Sequence, residues 1–333
     1  MSPGGDSPLG SIAAHRAEVQ AGERFEFGDN WAAFLRRLTP ERIEFATRSL
    51  QDALCVNDLR GRRFLDIGCG SGLFSLAARR LGASVRSFDY DPQSVRCTEA
   101  LQSRYLPEDP DWVIEHGSVL DREYLDGLGS FDIVYSWGVL HHTGEMWQAI
   151  ANAASLVCPR GALYIAIYDD GGAISRRWRL IKRLFNSTPR PLRPLVTAGV
   201  FIPRELYSFA GNLAFGRLGA YISKRRNWAR QSARGMSYWH DFVDWLGGYP
   251  FEFARPEQVF RFCRDRGFRL VELKTSMSGV SCNEFVFERE AGSTALPLHG
   301  HARATVGGLR VRESGAVSSR AGRARARCEN AEE

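Results

Sequence analysis

Phe64-Leu65-Asp66-Ile67-Gly68-Cys69-Gly70-Ser71-Gly72 is the stretch from which the fold reads. A short apolar run ends in an acid, and three glycines follow at alternate positions. Leu73, Leu76, Ala77 and Leu81 then recur at helical spacing, which predicts a helix over 73–81. Strand, glycine turn and helix make a corner suited to nucleotides. The glycines admit a ligand close to backbone N–H groups, and the helix N-terminus adds the positive end of its dipole. The dinucleotide fingerprint G-x-G-x-x-G requires glycine where this chain has Leu73, so that class is excluded. The spacing here is Asp-x-Gly-x-Gly-x-Gly.

Outward from this corner, strands and helices alternate as α/β units do. Predicted strands are Arg63–Ile67, Ser84–Phe88, Trp112–Glu115, Phe131–Ser136 and Ala162–Ile167, with helices at Gln93–Tyr105 and Met146–Val157. Pro159-Arg160-Gly161 reads as a turn. The second strand runs into Asp89-Tyr90-Asp91. A carboxylate at that strand end accepts both hydroxyl protons of a ribose, which assigns Asp89; Asp91, followed by Pro92, fits a helix N-cap instead. Pro256–Arg266 reads as a helix ending at Gly267, and Arg269–Lys274 and Asn283–Glu288 as two closing strands joined by a loop containing Gly279.

Asp66 to Gly72, Asp89, the loop Gly117-Ser118-Val119-Leu120-Asp121 and the segment Ser136-Trp137-Gly138-Val139-Leu140-His141-His142 occur in the order and spacing of four motifs. Together they resemble the class I S-adenosylmethionine (SAM) methyltransferases, and among those the enzymes of ubiquinone and menaquinone type. The likeness covers 60–168 closely and 256–289 more loosely. It implies an α/β, Rossmann-like, seven-stranded and mostly parallel sheet with helices on both faces and an antiparallel C-terminal hairpin. It also implies SAM as cofactor, held by Asp66, Gly68, Cys69, Gly70, Gly72, Asp89, Tyr90, Ser118, Val119, Ser136 and Trp137. In that reading Asp66 faces the cationic amino-acid end of SAM, and the Val119 N–H meets the adenine edge. His142, and second to it His240 beside Asp241, are the candidate bases; a purely structural hydrogen-bonded histidine is the competing reading for each. His141 and His142 are adjacent and joined by no carboxylate cluster, so no metal site is expected.

The organisation predicted around this core is a disordered 1–22, a helical lid over 23–59, the SAM-binding core over 60–168, a basic and aromatic insertion over 169–254 acting as a substrate cap, the end of the core over 255–289, and a disordered tail over 290–333. The lid contains Arg24-Phe25-Glu26-Phe27-Gly28-Asp29-Asn30-Trp31, which reads either as a closure over the ligand or as simple packing. The insertion is the chain's unusual part. Between Gly171 and Arg234 stand fourteen Lys or Arg against one acid, Glu205, in a chain whose net charge is only +6. Ile174, Trp178, Ile181, Leu184 and Phe185 share a helical face, and Arg176, Arg177, Arg179, Lys182 and Arg183 fill the rest. A Pro-rich hinge (Pro189, Pro191, Pro194) and an apolar stretch over 206–222 follow.

That pattern points to a small or lipid-like acceptor, methylated most simply at oxygen, with peripheral membrane contact through residues 174–226. RNA or another polyanion as acceptor, and a SAM-binding protein without transfer activity, are the alternatives; no nucleic-acid-binding module is recognisable. Seven scattered cysteines without a C-x-x-C pair, no signal-peptide pattern in the first 16 residues and no apolar run long enough to span a bilayer lead to the expectation of a cytoplasmic protein, peripheral to the inner face of the membrane.

Overall fold

The structure, a computed structural model, describes residues 8–227, 238–276 and 281–292. Seven strands form one sheet: β1 (Arg63–Ile67), β2 (Ser84–Asp89), β3 (Trp112–His116), β4 (Phe131–Trp137), β5 (Val157–Tyr168), β6 (Phe268–Lys274) and β7 (Cys282–Arg289). Their order is β3-β2-β1-β4-β5-β7-β6. The first five pair in parallel, and β7 is antiparallel to both β5 and β6. This is the mostly parallel, Rossmann-like sheet with a C-terminal hairpin. The strand order reverses where β1 lies between β2 and β4, and the crevice at that switch point is where α/β sheets hold ligands.

Strand parity splits the core in two. Leu65, Ile67, Val134, Leu163 and Ile165 face one layer, with α7 (Met146–Ser155) and α12 (Pro256–Arg264) packed on it. Phe64, Tyr135, Tyr164 and Val286 face the other, covered by α3 (Pro40–Leu54) and α4 (Leu73–Arg80). Helix α5 (Pro92–Tyr105) starts where the sequence places its cap: the Asp91 carboxylate accepts the Gln93 N–H at 2.8 Å.

Three expectations change. Residues 8–21 form helix α1 (Pro8–Ala21), so most of the stretch predicted to be disordered is structured. It is held by tertiary contacts: His15 is buried against Tyr90, and the Ser11 hydroxyl lies 3.1 Å from His116 Nδ1. Pro159–Gly161 is not a turn but part of β5, where the register with β4 shifts and Arg160 takes φ 62°. Such a shift is how a strand absorbs an extra residue. Lys182 does not lie on a solvated basic face; it is fully buried.

The helices that precede β1 are α1, α2 (Gly28–Leu35) and α3. The insertion forms α8 (Ala173–Ser187), α9 (Arg193–Ala214), α10 (Leu218–Arg226) and α11 (Tyr238–Gly247). Its two ends meet, because Asp169 and Ala254 pair as a parallel bridge and the Ala254 N–H donates to the Tyr168 carbonyl at 3.0 Å. An excursion with adjoining ends leaves the sheet undisturbed. Helices α8 and α11 are joined by a Trp178–Trp245 edge contact at 4.2 Å and by Phe185, Phe242 and Leu246. Lys182 lies among them, donating to the Trp245 carbonyl with its ammonium 4.4 Å and 4.8 Å from the Trp245 and Phe251 ring centroids. No helix among the described residues is long and apolar enough to cross a membrane.

Candidate active site

At the carboxyl ends of β1, β2 and β4 opens a cavity of about 1150 Å³. Pockets for one drug-sized ligand span roughly 300–1,000 Å³, so there is room for two ligands. One limb is lined by Asp66, Gly68, Cys69, Gly70, Ser71, Asp89, Tyr90, Ser118 and Val119. The other is lined by Trp137, His142 and Tyr168 and roofed by Ile174, Trp178, Phe242 and Trp245 from the insertion. Phe25, Phe27 and Trp31, from the segment before β1, line the same space.

The glycine turn has the shape the sequence suggests. Gly68 and Gly70 adopt φ 74° and 55°. A Cβ on Gly68 would sit 2.4 Å from Val139 Cγ1, and one on Gly70 would sit 2.9 Å from Trp31 Cε2. Trp31 therefore lies directly over the turn. Asp89 accepts two backbone N–H donors at 2.9 Å, from Gly70 and Asp91. Burial nonetheless pushes its carboxyl up to about 7, with the neighbouring Asp91 and Asp66 charges adding to the rise. Asp66 is also raised to about 7 by burial; its carboxylate accepts the Ser75 hydroxyl at 2.5 Å, and Ser75, Ser87 and the Trp112 indole continue the chain at 2.8 and 2.9 Å.

Tyr90 is enclosed by α1 and the segment after it: His15 packs edge-on at 5.2 Å, and the Arg24 guanidinium stands 4.8 Å from its ring centroid. Arg24 also donates to the His142 carbonyl at 3.0 Å, which ties the segment between α1 and α2 to the short helix Leu140–His142 that follows β4.

Two of the proposed cofactor residues lie off the cavity. Ser136 is fully buried and donates to the Ile67 carbonyl at 3.0 Å, joining β4 to β1 beneath the site. Gly72 stands at the start of α4 against Thr98. Of the candidate bases, His142 is in the cavity wall. Its Nδ1 lies 2.6 Å from the Pro250 carbonyl, an acceptor only, so Nδ1 is the donor in that bond. His141 is fully buried behind it. The side chains of His240 and Asp241, on α11, lie outside the described residues. Among the described residues no three His, Cys, Asp or Glu side chains gather as a metal-ligand set.

Several wall residues escaped the sequence reading. Tyr135 is 3% exposed, and among the described residues its hydroxyl has no hydrogen-bond partner. Its strand position pairs it with Asp66, so strand parity places both on one face. Arg42 from α3 and Arg204 from α9 also line the cavity, and only the folded chain brings them there.

Residues 65–165 match the family described as a methyltransferase domain. That segment, from β1 into β5, is what this chain shares with the methyltransferase family. Among curated relatives, a ubiquinone biosynthesis O-methyltransferase of Xanthomonas axonopodis pv. citri is 33% identical over 132 residues, 40% of this chain and 51% of that protein. The mitochondrial ubiquinone biosynthesis O-methyltransferase of Schizosaccharomyces pombe is 26% identical over 212 residues, 63% of this chain and 69% of that protein. The chain thus spans about half the length of the first of these relatives. A solved magnesium protoporphyrin IX methyltransferase from Synechocystis PCC 6803, with bound SAH, is 14% identical, with a TM-score of 0.45 over 74% of this chain and 83% of that one.

Proposed function

We propose that this protein binds SAM in the limb built on Asp66, Gly68–Ser71 and Asp89 and transfers its methyl group to the hydroxyl of a small, largely apolar acceptor held under the insertion. The observation that carries the proposal is the continuity of the cavity from the glycine turn to the aromatic roof. The fit to the cofactor rests on the turn and on Tyr135. A Cβ on Gly68 or Gly70 would obstruct the turn, and the Tyr135 hydroxyl, buried and without a hydrogen-bond partner among the described residues, stands on the strand beside Asp66.

SAM supplies an activated methyl on a cationic sulfur. The protein's work is to hold, orient and keep dry. Asp89 accepts the ribose hydroxyls in its ionised form. Asp66 and Tyr135 face the ammonium end, and Ser118 and Val119 border the adenine. His142, with Nδ1 committed to the Pro250 carbonyl, accepts the acceptor's hydroxyl proton at Nε2. Positioning of this kind lowers barriers by roughly 7–11 kcal/mol, and a well-placed base adds about 10²–10⁴-fold in rate. No metal is assigned a role. Oxygen as the acceptor atom draws support from the relatives, which are named O-methyltransferases.

The outer surface of the insertion favours an acceptor presented by a membrane. Leu180, Leu184, Leu195, Leu206 and Tyr207 on α8 and α9 are 59–85% exposed, and Arg176 and Arg177 on α8 and Lys224 and Arg226 on α10 stand exposed as well. Each basic residue near anionic lipid adds about 1 kcal/mol.

The test is incubation with methyl-labelled SAM and, in parallel, a lipid extract, an RNA pool and a water-soluble metabolite pool. Label in the lipid fraction, lost in His142→Gln, is expected. Label in RNA would overturn the acceptor class, and label in no fraction would overturn the activity.

A further inference from the structure

Glu205, the one acid between Gly171 and Arg234, is already saturated. Arg225 grips both oxygens of Glu205 at 3.0 Å, Tyr221 donates to it at 2.8 Å, and the Tyr238 hydroxyl donates to Oε1. These partners hold the Glu205 carboxyl below its ordinary range even though burial opposes them. Arg204, its chain neighbour, receives only the far edge: Nη1 lies 4.0 Å from Glu205 Oε1 and donates to the Tyr238 oxygen at 3.0 Å. Two guanidinium groups thus share one carboxylate, and the surplus positive charge falls on Arg204.

Arg204 is also placed to use that charge. It lines the cavity together with Tyr238, Phe242, Trp178 and Trp245, half exposed at the rim of the aromatic roof. Its guanidinium is 5.4 Å from the Phe242 ring centroid, and the bond to Tyr238 fixes one edge of the fork. A planar fork with one edge fixed leaves its remaining N–H donors for a planar, singly charged acceptor group, the geometry of a carboxylate. A phosphate monoester carries close to two charges, which one surplus guanidinium does not match.

We propose that Arg204 is a specificity-determining residue that binds a carboxylate on the methyl acceptor, so that the acceptor is an amphiphile with an apolar body under the aromatic roof and a carboxylate at the rim. This rests on the reading of the cavity as a joint SAM and acceptor site. Tyr238 is the positioning residue that holds the guanidinium at the rim.

The test uses the full chain saturated with S-adenosylhomocysteine and a matched pair of probes, 4-decyloxybenzoate and the uncharged 4-decyloxybenzyl alcohol, titrated by calorimetry. The wild type should bind the carboxylate about tenfold or more tightly than the alcohol, as one charge-assisted pair provides. Arg204→Gln should lose that preference while keeping its affinity for the alcohol, which also shows that the variant is folded. Arg183→Gln, which removes an exposed charge of α8 away from the cavity, should keep it. Equal affinities in the wild type, a preference surviving in Arg204→Gln, an equal loss in Arg183→Gln, or no binding of either probe would each overturn the assignment. The S-adenosylhomocysteine titration of the same samples reports separately on the cofactor limb: its failure would sink the methyltransferase reading, whatever the probes do.

Discussion

Asp89 is expected to behave differently with and without cofactor. Its carboxyl is raised from 3.8 to about 7 by burial, as is that of Asp66. A carboxyl with a raised folded-state value stabilises the fold below its unfolded value and gives that stability up as pH rises toward the folded one. The cofactor-free protein should therefore lose thermal stability between about pH 4 and 7, and Asp89→Asn should show a shallower loss. Ribose binding demands the ionised form, so SAM affinity should rise over pH 6 to 8. A flat affinity profile would contradict the assignment. At His142 the expectation is a division of roles: His142→Gln should lower kcat/KM by about 10²–10⁴-fold while SAM affinity, measured by calorimetry, stays within a few-fold of wild type. A matching loss of SAM affinity would make the histidine a binding or structural residue. Much at this scale was open to inference from the chain alone. Asp66, Gly68, Gly70 and Asp89 line the cavity, while Gly72 stands off it against Thr98. Ser136 did not follow, because spacing fixes distance along a strand and not which face a side chain takes; alternation gives that face to Tyr135.

Among the elements, the strands and core helices follow from periodicity, since each buries one apolar face against a sheet. Helix α1 does not, because its contacts are made by His15 and Ser11 to residues 75 and 105 positions away, and no apolar stripe announces them. Lys182 is the converse case. Helical spacing places a lysine among solvated arginines, yet the Trp245 carbonyl and two aromatic rings draw it inside. Truncating it to Ala leaves that carbonyl without its donor, which costs about 1–3 kcal/mol. The outer faces of α8 and α9 make a separable prediction. Leu180→Asp with Leu184→Asp should abolish flotation with anionic vesicles while leaving SAM affinity unchanged. Flotation that survives the pair would remove the insertion from membrane contact.

At the scale of the whole molecule, a conventional α/β sheet carries two additions that close over its switch point. The helices before β1 are tied by Arg24 to the His142 carbonyl beyond β4, and the insertion leaves and rejoins the sheet at one place, where Asp169 pairs with Ala254. Together they turn an open crevice into a cavity large enough for cofactor and acceptor at once. The sheet was readable from local pattern. The cavity was not, since its walls come from residues as far apart as His15 and Glu284. The account stands most directly on one calorimetric titration of SAM into the wild type and Asp89→Ala. One molecule bound per chain, weakened about tenfold or more in the variant as the loss of a charged acceptor requires, is the expected result. No heat of binding in the wild type, or equal affinity in the two proteins, would contradict it.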